Sequence, residues 1–79
     1  MAIITRWDRR PVGRQRRQTE TVCEWNYFDD AQGERLLQLS TLGTDARKNV
    51  GTRSQSLQVD RRGAEQLVGM LKEAFPGIC

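Results

Sequence analysis

Ser54-Gln55-Ser56-Leu57-Gln58-Val59-Asp60-Arg61-Arg62-Gly63-Ala64 is the stretch on which the fold turns. Up to Val59 the side chains alternate: Gln55, Leu57 and Val59 share one face, and Ser54, Ser56 and Gln58 share the other. That period of two belongs to a strand with one apolar face. Beyond Asp60 the period changes, and Ala64, Leu67, Val68, Leu71, Ala74 and Phe75 follow a single helical stripe. Asp60 is a good N-cap between the two regimes, because its carboxylate can accept from an otherwise unpaired backbone N–H. Lys72 sits near the far end, where a cation suits the helix dipole, and Pro76-Gly77 stops the helix. Gly63 and Gly69 each weaken a helix by about 1 kcal/mol relative to alanine, so either marks a place for close packing.

Upstream of this stretch lies a hairpin. Thr19 to Phe28 is rich in Thr, Val, Trp, Tyr and Phe, the residues that strands favour. Thr21, Cys23, Trp25 and Tyr27 fall on one face, and Val22, Glu24, Asn26 and Phe28 on the other. Asp29-Asp30-Ala31-Gln32-Gly33 reads as the turn, with Gly33 supplying a positive φ. Glu34 to Leu42 is the returning strand, and Gly43 to Arg53 is a polar loop carrying Asp45, Arg47, Lys48 and Asn49.

Further upstream, Asp8 to Gln18 has Pro11, Gly13 and no apolar period, which predicts a flexible basic loop that orders on binding. Ala2 to Trp7 reads as a short strand or an ordered arm. The composition sets residues 1–18, a basic strand or arm, apart from residues 19–79, a β-β-β-α domain. If residues 1–17 lie outside the core, deleting them leaves folding nearly intact; if Ile3, Ile4 and Trp7 form a strand, the segment is structural.

Charge follows the same division. Residues 1–21 hold six arginines against Asp8 and Glu20, a net of +4, whereas residues 22–79 carry a net of −1. Eleven of the thirteen basic residues are arginine, whose planar fork suits phosphates and whose flat face suits bases. A genome that prefers arginine codons would give the same bias. Arg61 and Arg62 open the helix against its dipole, so they need another reason to be there, and phosphate contact supplies one.

With 79 residues there is room for one small domain and a thin core, so a deep active site would need two copies to build it. Histidine is absent, which removes the commonest general base and metal ligand and every Ser-His or Cys-His mechanism. Cys23 and Cys79 stand 56 positions apart and match no metal-ligand spacing. Asp29, Asp30 and Glu34 read as a solvated hairpin tip, and no phosphate loop or nucleophile elbow occurs. The expectation is no enzyme, no cofactor and no metal. With no signal peptide and no apolar run long enough for a bilayer, the chain is expected in the cytoplasm.

The functional candidates are aromatic and basic. Trp25 and Tyr27, with Trp7 as an alternative, could stack unpaired bases, each base worth about 1–3 kcal/mol. The same rings could equally face the helix and form the core, although Tyr27 and Phe28 cannot both do so. Arg9, Arg10, Arg14, Arg16 and Arg17 would attract phosphates, with Arg47, Lys48 and Arg53 gripping the backbone. Ser40, Thr41, Thr44, Thr52, Ser54 and Ser56 could donate to phosphate oxygens or serve ordinary strand and turn chemistry.

The run Glu24–Leu71 passes through an aromatic strand, a hairpin with Leu37-Gln38-Leu39, a basic loop, Thr52-Arg53-Ser54-Gln55-Ser56-Leu57 and a helix with Ala64, Leu67 and Leu71. In that order it resembles the single-stranded-DNA-binding domain of the transcriptional coactivator positive cofactor 4, over roughly residues 22–75. Its Leu-Gln-Leu-Ser-Thr and Ser-Gln-Ser-Leu-Gln patterns and its Phe75-Pro76-Gly77 end are also similar to small actinobacterial proteins. The resemblance implies a dimer, a single-stranded nucleic-acid ligand and a setting in transcription regulation. Arg53 takes the place of the family's loop lysine, and the family's glycine before the serine is missing.

The reading is therefore an α+β domain: a curved antiparallel sheet of three to four strands with one C-terminal helix packed across it. One helix cannot hide both sheet faces, so a homodimer is expected. The expected function is binding of single-stranded DNA or RNA. The alternative is a small regulator or inhibitor that docks on a protein through its sheet face or edge, with the basic arm against an acidic surface.

Overall fold

Five elements follow one another along the chain: β1 (Ala2–Ile4), β2 (Cys23–Asp29), β3 (Arg35–Leu42), β4 (Arg53–Val59) and α1 (Arg61–Ala74). They come from a computed structural model that describes residues 2–42 and 53–78. The four strands form one sheet in the order β1-β4-β3-β2.

The β2–β3 hairpin is set by its turn. Asp30 Oδ1 accepts from the N–H groups of Gln32 and Glu34 at 2.8 and 2.9 Å, so the aspartate closes the turn on its own backbone. Gly33 takes φ +83°, a conformation that side chains rarely adopt. That geometry places Tyr27 opposite Leu37 and Trp25 opposite Leu39. Across the next ladder Leu37 faces Val59 and Leu39 faces Leu57, with a register shift between Thr41 and Leu42. One face of the sheet therefore carries the apolar rungs Tyr27-Leu37-Val59-Ile4 and Trp25-Leu39-Leu57-Ala2. The other carries amides and hydroxyls in the rungs Asn26-Gln38-Gln58 and Glu24-Ser40-Ser56.

β2, β3 and β4 are antiparallel, as the alternation implies. β1 departs from that expectation: it lies outside β4 and runs parallel to it, with Ala2 opposite Leu57 and Ile4 opposite Val59. The sheet is thus mixed. A three-residue strand has no period of its own, so nothing in Ala2-Ile3-Ile4 specifies its partner.

The Asp60 side chain caps α1 by accepting from Gly63 N–H at 2.7 Å, as its N-cap position predicts. Phe75 N–H donates to Leu71 O at the other end, one residue before Pro76. Gly63 is buried, and a Cβ there would run into the Ile4 carbonyl oxygen and meet Val59 Cγ1 at 3.1 Å. This glycine is the close approach between helix and sheet; around Gly69 the space is open.

Residues after β1 run beside α1. Gln66 Nε2 donates to Thr5 O at 3.3 Å, Trp7 Nε1 donates to Gly63 O at 2.8 Å, and Arg9 pairs with Glu73 at 2.8 Å. Of the segment set apart by its charge, residues 2–9 therefore lie against the sheet and the helix. Residues 10–22 form no helix or strand and are exposed. Among the described hydrophobic residues only Leu36 and Val59 are buried, and the buried Ser40 hydroxyl lies 3.2 Å from that of Ser56. No helix of the described residues is long and apolar enough to cross a membrane.

Candidate nucleic-acid interface

β2 is an outer strand, and every one of its seven residues is exposed. Trp25 retains 70% of its surface and Tyr27 51%, side by side on the apolar face with Leu39 and Leu37 behind them. An exposed Leu is ordinary, but two large rings presented together on a strand edge are not. Neither forms the core. The alternation puts them on one face, and the strand order puts β2 at the sheet's edge.

Arg35 completes the group. Its guanidinium lies 4.5 Å from the Tyr27 ring centroid and donates to Asp29 Oδ1 at 3.1 Å. The hydrogen bond and the negative charge of Asp29 hold the Arg35 guanidinium above its ordinary value, so it is a permanent cation. A ring beneath a guanidinium makes a flat cationic surface on which a base can stack and a phosphate can rest. Arg35 is absent from the sequence-based candidates. The signal for it was available: once the turn spans Asp30 to Gly33, Arg35 opposes Asp29 and lies on the diagonal from Tyr27.

The arginines of the N-terminal segment divide into two groups. Arg9 pairs with Glu73, Arg10 with Asp8 at 3.3 Å and Arg17 with Glu20 at 2.7 Å, all with their side chains in solvent. Such pairs contribute at most about 1 kcal/mol each, so a phosphate can replace the carboxylate. Among the described residues Arg14 and Arg16 have no acidic partner. The segment enters the sheet at β2, where Leu42 N–H donates to Val22 O and Thr21 Oγ1 donates to Leu42 O. The basic run thus feeds directly into the aromatic strand.

Arg47 and Lys48 lie outside the described residues, and Arg53 opens β4 with its backbone opposite Leu42. Arg61 pairs with Glu65 one helical turn on, while Arg62 has no acidic partner among the described residues. Trp7, the alternative stacking ring, is half-buried and commits its indole N–H to the Gly63 carbonyl, so it serves as a structural tie.

Behind the aromatic pair, the opposite sheet face holds an open depression of about 450 Å³ lined by Glu24, Asn26, Phe28, Gln38 and Ser40 with the backbone of β2. Gln58 Nε2 donates to Gln38 Oε1 at 3.1 Å, so the amides are ordered across the strands. Among the described residues no three His, Cys, Asp or Glu side chains stand close enough to hold a metal ion. No family model, curated protein or solved structure matches this chain.

Proposed function

We propose that this chain is a non-catalytic, cytoplasmic nucleic-acid-binding protein that prefers single strands. The observation that carries the reading is the exposed Trp25 and Tyr27 beside Arg35, on a strand fed by an arginine-rich segment. Unpaired bases offer π-faces to Trp25 and to the Tyr27–Arg35 stack, and a duplex hides those faces. Arg14 and Arg16, with the easily displaced Arg9, Arg10 and Arg17, supply attraction to phosphates regardless of sequence. The exposed thiol of Cys23 fits a reducing compartment.

The test is fluorescence anisotropy with labelled single- and double-stranded oligonucleotides of the same sequence. Tighter binding to the single strand is expected, with log affinity falling by roughly 0.7 per contacted phosphate for each tenfold rise in salt. Absence of binding near 50 mM salt, or indifference to salt, overturns the proposal.

A second reading rests on the same outer strand. β2 presents a row of exposed residues at the sheet edge, to which an extended segment of another protein could add a strand. Purification separates the two readings: co-purifying nucleic acid released by high salt supports the first. A preparation free of nucleic acid that retains one protein partner supports the second.

A further inference from the structure

We infer that Arg35 selects guanine: its Nη1 and Nη2 groups donate to O6 and N7 of one unpaired guanine, which gives the interface a base preference. The inference rests on the nucleic-acid reading and adds to it the base that is selected.

Arg35 is held in place where Arg14 and Arg16 are not. Its Nε donates to Asp29 Oδ1 at 3.1 Å, and its guanidinium lies 4.5 Å from the Tyr27 ring centroid. The register makes both contacts, because Arg35 opposes Asp29, and Tyr27 stands two residues before Asp29 on the same face. A guanidinium carries its N–H donors in a flat, rigid fork, and Asp29 takes the Nε side only. Arg35 makes no other hydrogen bond among the described residues, and its side chain keeps 65% of its surface. The Nη1–Nη2 edge is therefore open, and its orientation is fixed from two directions.

Charge decides which acceptor suits that edge. The hairpin end from Asp29 to Arg35 carries Asp29, Asp30 and Glu34 against the one guanidinium. A phosphate arriving there is repelled by the carboxylates, whereas the neutral edge of a base is not. Arg14 and Arg16, with no acidic partner among the described residues, are the better phosphate ligands. The labour is divided accordingly: phosphate contacts position the strand, and a base contact selects its sequence.

Guanine matches the open edge best. Its O6 and N7 are acceptors side by side, and a bidentate arginine is the commonest specific contact to them. Adenine sets an N6 donor beside N7, and thymine has O4 beside a methyl group. Unpaired cytosine presents N3 and O2, but its single ring stacks less well than a purine. Trp25 stands about 7 Å from Tyr27 along β2, where it takes the neighbouring base.

The experiment is fluorescence anisotropy on the full chain with thymidine octamers carrying one central guanine, hypoxanthine, 7-deazaguanine, adenine or cytosine. Guanine and hypoxanthine, which share O6 and N7, should bind about fivefold or more tighter than the all-thymidine octamer, and the other three should not. Arg35→Met should bring the guanine-to-thymine ratio to about one. Asp29→Ala should lower that ratio while raising affinity for the all-thymidine octamer, since it frees the fork and removes a carboxylate; a phosphate role for Arg35 would raise both affinities together. Equal, salt-dependent binding of every octamer overturns the inference and leaves the nucleic-acid reading standing. So does a preference for cytosine, or a guanine preference that survives Arg35→Met. Absence of binding to all the octamers overturns the nucleic-acid reading itself, and the inference with it.

Discussion

Replacing Gly63 by alanine sets helix propensity against tertiary packing, and the two predict opposite signs. In an unencumbered helix the change stabilises by about 1 kcal/mol, because glycine loses more backbone entropy on folding. Here the added methyl would run into the Ile4 carbonyl and press on Val59 Cγ1 at 3.1 Å. Backbone cannot rotate out of the way as a side-chain tip can, so either β1 or the first turn of α1 must shift. Overpacking of this kind costs about 1–3 kcal/mol. The shift also strains the bonds from Asp60 N–H to Ile4 O and from Trp7 Nε1 to Gly63 O, each worth about 1 kcal/mol. Net destabilisation of about 1–3 kcal/mol is expected, and each kcal/mol lowers Tm by about 4–8 °C in a domain of this size. Gly69→Ala is the control: with nothing within 4 Å, it should raise stability by about 0.5–1 kcal/mol. Circular-dichroism melts of the three proteins at one concentration decide the matter. A Gly63→Ala protein at least as stable as Gly69→Ala would refute the close approach of helix and sheet.

The other predictions concern the cap, the interface and the N-terminal segment. Asp60→Ala removes the acceptor for Gly63 N–H and should cost about 0.5–2 kcal/mol, read from urea melts. Trp25→Ala should weaken single-strand binding by about 1–3 kcal/mol while stability stays within about 0.5 kcal/mol; unfolding instead would place Trp25 in a core. Arg14→Gln with Arg16→Gln should flatten the salt dependence by about 0.7 for each phosphate that the chain then leaves unneutralised, without changing the melt. Because Asp29 raises the Arg35 value, that cation is fully present below its unfolded value and lost only as pH climbs past the folded one, far into the alkaline range. With no histidine in the chain, affinity should be level from about pH 6 to 7, and a titration inside that window contradicts the assignment.

Periodicity carries the parts of the fold that were legible in advance. The alternation around Trp25 and Leu57, the Gly33 turn and the Asp60 cap are local, so a strand, a hairpin and a helix start could be read from neighbouring residues. β1 was not legible in that way, because its pairing depends on a β4 edge more than fifty residues away. Its presence selects between the two expectations for the N-terminal segment: β1 and the Trp7 tie make it structural, so removing residues 1–17 should unfold the protein. The exposure of Trp25 and Tyr27 was equally out of reach. Alternation tells which residues share a face, whereas which strand ends at the edge depends on topology. Arg35 was overlooked because a cation at a hairpin end reads as solvated until the register sets it over Tyr27.

The parallel pairing of β1 with β4 imposes an order of events on the newborn chain. Ala2 has no partner until Leu57 has been synthesised, an interval of about 3–11 s at ordinary translation rates. The β2–β3 hairpin needs only residues between Cys23 and Leu42 and can close within microseconds of their emergence. β1 is thus made before the other three strands and docks only once β4 exists, so Ile3 and Ile4 lack a sheet partner throughout that interval. A bulky fusion placed just ahead of Ala2 would have to follow that late move alongside α1, whereas one carried after Ile78 would arrive only once every strand partner exists.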